Sequence, residues 1–184
     1  MRNALFALML GITVAGNAYA DREDRFHASL QGFNAAGAQI PTNARGEAKV
    51  EVVDGGTALA FRVNVAGIDN LLMAHIHISP TPVNETDQAG PIAFWFVGGP
   101  PPGTTLTETL NGRLAEGFII TDADVVSWDP EDADNGTVQG VIKAIREGRA
   151  SVVVHTDDLN PATPTGRAGD SRAGEIRGTL RATR

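Results

Sequence analysis

The sequence contains no cysteine among its 184 residues, which excludes disulfide bonds and a lipid-modified cysteine anchor. Basic residues are also few, since 15 Lys and Arg stand against 22 Asp and Glu, for a formal net charge of −7. Nucleic acids and anionic membranes are bound through clusters of Lys and Arg, so neither is expected as a partner. Stability must therefore come from a hydrophobic core, or from a core together with a metal ion.

Several catalytic signatures are missing as well. We find no Ser-His-Asp motif, no glycine-rich phosphate loop and no paired-carboxylate motif in the sequence. The single tyrosine, Tyr19, lies in the N-terminal segment that we expect to be removed, so the mature chain lacks a tyrosine acid or radical. A non-enzymatic role is favoured.

The first twenty residues, MRNALFALMLGITVAGNAYA, have the pattern of a secretory signal. Arg2 precedes a short apolar stretch, and Ala18-Tyr19-Ala20 forms a small-residue cleavage site. The apolar stretch is too short to span a bilayer. We predict a signal peptide over 1–20 and one mature domain over 21–184, exported to the periplasm or the medium and not inserted in a membrane. Removal of Arg2 changes the formal charge from −7 to −8.

Short stretches of alternating apolar and polar residues follow, separated by turn residues. They are typical of an all-β sandwich or barrel. Strands are predicted within residues 25–33, 45–68 (a hairpin about Asp54-Gly55-Gly56), 71–79, 91–97, 104–120 (one or two strands), 149–158 and 173–180.

One segment has helical periodicity instead. Val138, Val141, Ile142 and Ile145 are spaced i, i+3, i+4, i+7, and Gly148 stands where a helix often ends. We predict one short helix over 137–147, inserted in a connection between strands.

Two histidines share one face of the strand LLMAHIHIS. Ala74, Ile76 and Ile78 form the apolar face, so His75 and His77 point outward from the core. Residues i and i+2 of a strand lie about 6.6–6.8 Å apart on one face, close enough for two imidazoles to lean onto one ion. The pair is therefore half of a metal site, or else part of an ordinary polar face.

Further candidates come from other strands. If Val152 and Val154 are core residues, His155 also points outward and supplies a third ligand. His27, outward on the first strand, is a possible fourth ligand, or simply a solvated histidine. Carboxylates next to the histidines in sequence are candidates for orienting the imidazole N–H groups, although we favour solvated loop residues and turn caps for most of them: Glu85, Asp87, Asp157 and Asp158.

The last strand carries Glu175 and Arg177 on its outward face. We interpret them as an exposed ion pair, with the alternative that Arg177 guides anions toward the metal and that both residues support the histidines. Trp95 is expected in the core and Trp128 as a loop anchor.

The order of these motifs resembles the CHRD (chordin-type) domain family, which includes exported bacterial proteins. The resemblance rests on FHASLQG, VAGIDNLLMAHIH with a downstream AGPI, VVHT and GEIRGTL, and spans about Phe26 to Leu180. It implies an immunoglobulin-like or superoxide-dismutase-like antiparallel β-sandwich. The family's His-x-His corresponds to His75 and His77, and its His-Thr to His155 and Thr156.

Two departures from the family pattern are visible. Ser151 and Val153 replace a tyrosine and an asparagine that often precede His-Thr, and the loop before the final strand is longer than usual. A weaker resemblance to copper-zinc superoxide dismutase lies in the His-x-His on an outer strand face, although the chain has too few histidines for a two-metal site.

The combined hypothesis is an exported CHRD-type protein that binds copper or zinc through a histidine cluster on its surface. The ligands would be His75, His77 and His155, with His27 as a possible fourth ligand and Arg177 and Glu175 in support. Two alternatives remain open: a non-catalytic binding or adhesion module that engages another exported protein, and a superoxide-dismutase-like redox enzyme.

Overall fold

The structure is a computed structural model that describes residues 24–99, 107–162 and 165–183, without the side chains of residues 117 and 118. The predicted signal peptide, 1–20, lies outside the described residues. The strands are β1 Arg25–Leu30, β2 Arg45–Val53, β3 Ala58–Ile68, β4 Leu71–Ile78, β5 Ile92–Val97, β6 Leu110–Ile120, β7 Ala150–Thr156, β8 Ile176–Thr179 and β9 Arg181–Ala182. One α-helix, α1, spans Val138–Arg146, and two short 3-10 turns lie at Asp54–Gly56 and Asp122–Asp124.

The strands form two antiparallel sheets. The first has the order β6-β3-β2-β1-β9 and the second has the order β5-β4-β7-β8. Their inner faces pack together in one core, to which Phe26, Leu59, Ile76 and Val154 belong. The predicted all-β sandwich with a short helix in a connection is therefore confirmed.

The β2–β3 hairpin turns where the sequence predicts. Asp54, Gly55 and Gly56 all have positive φ, and Val53 pairs with Ala58 across the turn. Residues 107–120 of the ambiguous segment contain one long strand, β6, rather than two short ones.

Helix α1 begins and ends within one residue of the predicted bounds. Thr137 caps its N-terminus by accepting a hydrogen bond from the Gly140 amide at 3.0 Å, and Gly148 follows the last turn with φ 71°. Its apolar stripe is buried in the common core. Within the described part of the chain, no helix has the length and apolar character needed to cross a membrane.

Three loops lie over the outer face of the second sheet. We call residues 33–38, 79–91 and 165–175 together the loop cover. Ala35 joins its three parts, since its amide donates to Ala173 O at 2.7 Å and its carbonyl accepts from the Ala89 amide at 2.8 Å. This cover decides the environment of the histidines beneath it.

Candidate metal centre

The structure brings three predicted ligands together on two neighbouring strands. β4 and β7 are the inner strands of the second sheet, and Met73 pairs with His155 while His75 pairs with Val153. His155 is therefore the diagonal neighbour of His75, and paired residues share a face. The ring centroid of His75 lies 4.6 Å from that of His77 and 4.4 Å from that of His155, with 6.1 Å between the outer two.

The three histidines lie on the outer face of their strands, as predicted, but the prediction that they are exposed to solvent is wrong. His75, His77 and His155 are 0%, 7% and 4% exposed, so the group is not a surface cluster. Periodicity shows which side of a strand faces the core, whereas the opposite side is buried here by the loop cover. Val153, an apolar residue in the middle of that outer face, was the signal that could have indicated burial.

Two of the imidazoles are held by backbone carbonyls. His77 Nδ1 donates to Gly90 O at 2.7 Å, and His155 Nδ1 donates to Arg172 O at 2.7 Å. A carbonyl oxygen only accepts, so each Nδ1 carries the proton and each Nε2 keeps a free lone pair. Both Nε2 atoms are buried without a protein partner, and so are both ring nitrogens of His75.

All three imidazoles are neutral at physiological pH. Burial lowers the pKa of His75 to about 2, and the proximity of His155 and His77 contributes. Burial also lowers the pKa of His77 and of His155 to about 4, although their carbonyl hydrogen bonds oppose this change. Neutral imidazole is the form that binds a transition metal.

The donor set fits a borderline or soft transition ion. One ligand nitrogen from each histidine lies within 4.8 Å of the others. Two nitrogens bound to one ion with bonds of about 2.0–2.1 Å lie at most about 4.2 Å apart, so a modest rotation of the rings closes the site. Imidazole suits copper and zinc, whereas magnesium and calcium require oxygen ligands.

Glycine allows the loop cover to approach this closely. Gly90 has φ 84°, and a Cβ there would overlap the Ile78 carbonyl oxygen. Its own carbonyl is the oxygen that orients His77. Gly174 has φ 109°, and a Cβ there would lie 2.6 Å from Val153 Cγ1. Any side chain at either position would lift the cover off the sheet.

Glu175 and Arg177 are buried, and the predicted exposed ion pair is wrong. Glu175 accepts from Thr42 Oγ1 at 2.6 Å, and from Thr156 Oγ1 and the Gly169 amide, both at 2.8 Å. It therefore ties the cover to the end of β7.

Arg177 has a separate set of partners. It donates to the carbonyls of Glu85 and Asp87 and, at 3.1 Å, to Ser151 Oγ. Arg177 thus fixes the 79–91 loop over the sheet. The carbonyls of Gly90 and Arg172, not carboxylates, orient the imidazoles, and Asp87, Asp157 and Asp158 instead accept hydrogen bonds from amides in their own turns.

His27 does not join the cluster. It lies on β1 of the first sheet, where its Nε2 is 3.7 Å from Glu47 and its side chain is 40% exposed. The predicted fourth ligand is therefore absent from the group that the structure assembles.

The position predicted from the sequence is right for Trp128 and wrong for Trp95. Trp95 was expected in the core but is half-buried outside it, with its indole edge-on to His75 at 4.7 Å between ring centroids. Trp128 is buried in a loop, as expected, and packs against the core.

The chain belongs to the CHRD domain family. It matches the sequence model of the CHRD domain over residues 26–163, which is more than half of the chain. The match includes the three clustered histidines. It ends at residue 163, within the long loop, and so does not reach residues 174–178 of the last strand motif. No curated protein matches the chain. The resemblance to copper-zinc superoxide dismutase stays a prediction.

Proposed function

We propose that this CHRD-domain protein holds one transition-metal ion, copper or zinc, between His75, His77 and His155. The observation that supports the proposal best is the burial of their free ring nitrogens under the loop cover. A buried polar group without a partner costs about 1–3 kcal/mol. Four such nitrogens, two of them on His75, are therefore costly unless something binds to them, and a metal ion would bind one nitrogen of each ring.

The rest of the site supports ion binding without supplying a reaction. The carbonyls of Gly90 and Arg172 hold the rings in the tautomer that presents Nε2, which is how metal-ligating histidines are commonly oriented. The cover closes the site from above, which favours retention or handover of an ion over open turnover. We also propose export, from the leader sequence and the membership of a family with secreted members.

The test is metal analysis of protein purified without a histidine tag. After loading with copper or zinc and desalting, the wild type should retain about one ion per chain. His155→Ala should lose most of it, whereas His27→Ala, which changes a half-exposed histidine on the other sheet, should retain it.

Two results would count against the proposal. Retention of less than about a tenth of an ion per chain by the folded wild type would refute metal binding and favour a metal-free binding module. Full retention by His155→Ala would refute the named site. Copper-loaded protein that consumes superoxide would instead support the enzymatic alternative.

A further inference from the structure

We propose that the ion is monovalent copper, Cu(I), bound by His75, His77 and His155 alone. This inference rests on the proposed metal site and specifies which ion occupies it. It follows from the number of donors, the charges around them and the chemical character of the neighbouring side chains.

The donor count favours an ion that accepts three ligands. Among the described residues, the group around these histidines has three members, and no further His, Cys, Asp or Glu joins it. Structural zinc is almost always four-coordinate, and catalytic zinc takes water in the fourth position. Here the neighbouring Val153 is apolar and fully buried, and Ser151 is bonded to Arg177. Cu(I), a d¹⁰ ion, is stable with three nitrogen ligands in a plane.

The surrounding charges disfavour a divalent ion. The three imidazoles are neutral, and the ring N–H groups of His77 and His155 are bonded to carbonyls. In the ranges described, no carboxylate bonds to any of the three rings. The guanidinium of Arg177 is buried on the same sheet and lowers the pKa of His77, while the carboxylates of Glu85 and Asp87 offset part of its charge. The cost of desolvating an ion grows with the square of its charge, so it is about four times larger for a divalent ion than for a monovalent one. Its repulsion from Arg177 is also twice as large.

The nearby side chains are soft or aromatic. Met73 pairs directly with His155, so their Cβ atoms lie about 4.5–5.5 Å apart on one face. Soft groups such as a thioether favour Cu(I) over harder ions, and Met73 belongs to the surroundings of the site without being one of its three ligands. The indole of Trp95 packs on His75 from β5. Together these side chains make the surroundings favourable for Cu(I) and unfavourable for hydrated Zn(II).

The test compares the affinities of the two ions in the whole protein. Metal-free protein is titrated anaerobically with Cu(I) against bicinchoninate, and with Zn(II) against a chromogenic zinc chelator. Cu(I) should bind at least about a thousandfold more tightly than Zn(II). The Cu(I) complex should have no electron paramagnetic resonance signal.

The outcomes separate this inference from the proposed function. Zinc binding as tight as Cu(I) binding, both lost in His155→Ala, would overturn the choice of ion and keep the metal site. Folded protein that binds neither ion would overturn both.

A matched pair of variants tests the charge argument. Val153 pairs directly with His75, so Val153→Asp would place a carboxylate beside the site, and Val153→Asn is its neutral control. The Asp variant should bind Zn(II) at least about tenfold more tightly than the Asn variant, with a smaller change for Cu(I). Equal zinc affinities of two folded variants would contradict the argument. The wild-type competition decides the choice of ion if either variant does not fold.

Discussion

Acidification should destabilise the metal-free protein through the three buried histidines. Burial lowers the pKa of His77 and His155 to about 4 and that of His75 to about 2, from 6.5 in an exposed chain. The unfolded state therefore takes up protons first, so the stabilisation is complete above pH 6.5 and declines as the pH falls, toward about 4 for His77 and His155 and toward about 2 for His75. At about pH 5, the loss is 1.36 × 1.5, or about 2 kcal/mol for each histidine. Because the rings interact, roughly 6 kcal/mol is an upper limit for all three.

The assay is urea unfolding of metal-free protein at several values between about pH 7.5 and pH 5. His75→Gln removes one of the titrating groups and should reduce the slope of the unfolding free energy against pH by about a third. His27→Gln, which alters a half-exposed histidine on the other sheet, should keep the wild-type slope. A wild-type unfolding free energy that stays constant over this range would refute the buried, neutral state of the cluster.

Three other perturbations test the cover and the leader. Gly90→Ala should lift the loop from β4, release the His77 ring and weaken metal retention more than it lowers the melting temperature, measured by metal analysis beside thermal unfolding. Glu175→Gln should lower the free energy of unfolding by about 1–3 kcal/mol, because a buried acceptor of three hydrogen bonds loses one oxygen; an unchanged urea midpoint would contradict this. Mass spectrometry of the exported protein should show Asp21 as the first residue, and an intact Met1 would exclude cleavage.

The strands and the helix could be predicted because their signals are local. Alternation marked Phe26, Ala28 and Leu30 as core residues, and all three are buried. The i, i+3, i+4, i+7 pattern of α1 and the Asp54-Gly55-Gly56 turn likewise depend on a few adjacent residues.

The convergence of the histidines could be proposed from the sequence, but periodicity alone does not establish it. Periodicity placed His75, His77 and His155 on the outer faces of their strands. That β4 and β7 are neighbours follows from strand pairing, which periodicity does not reveal. The burial of the site was missed because loops carry no periodicity. Likewise, the rings are oriented by the backbone carbonyls of Gly90 and Arg172. Every residue has a backbone carbonyl, so the sequence carries no signal for these two contacts.

The same limit explains the misplaced Arg177. Alternation put its side chain on the outer face, which is correct, and solvent was assumed there. Its partners are instead backbone carbonyls of a loop about ninety residues earlier in the chain. Contacts of that range follow from the packing of the loop cover and have no signature in the strand itself.

X-ray absorption at the metal edge of copper-loaded protein tests the central claim most directly, because it counts the ligands of the bound ion. The account predicts three nitrogen ligands at about 2.0 Å with the outer-shell scattering of imidazole rings. Oxygen ligands, or a spectrum unchanged in His75→Gln, would contradict it.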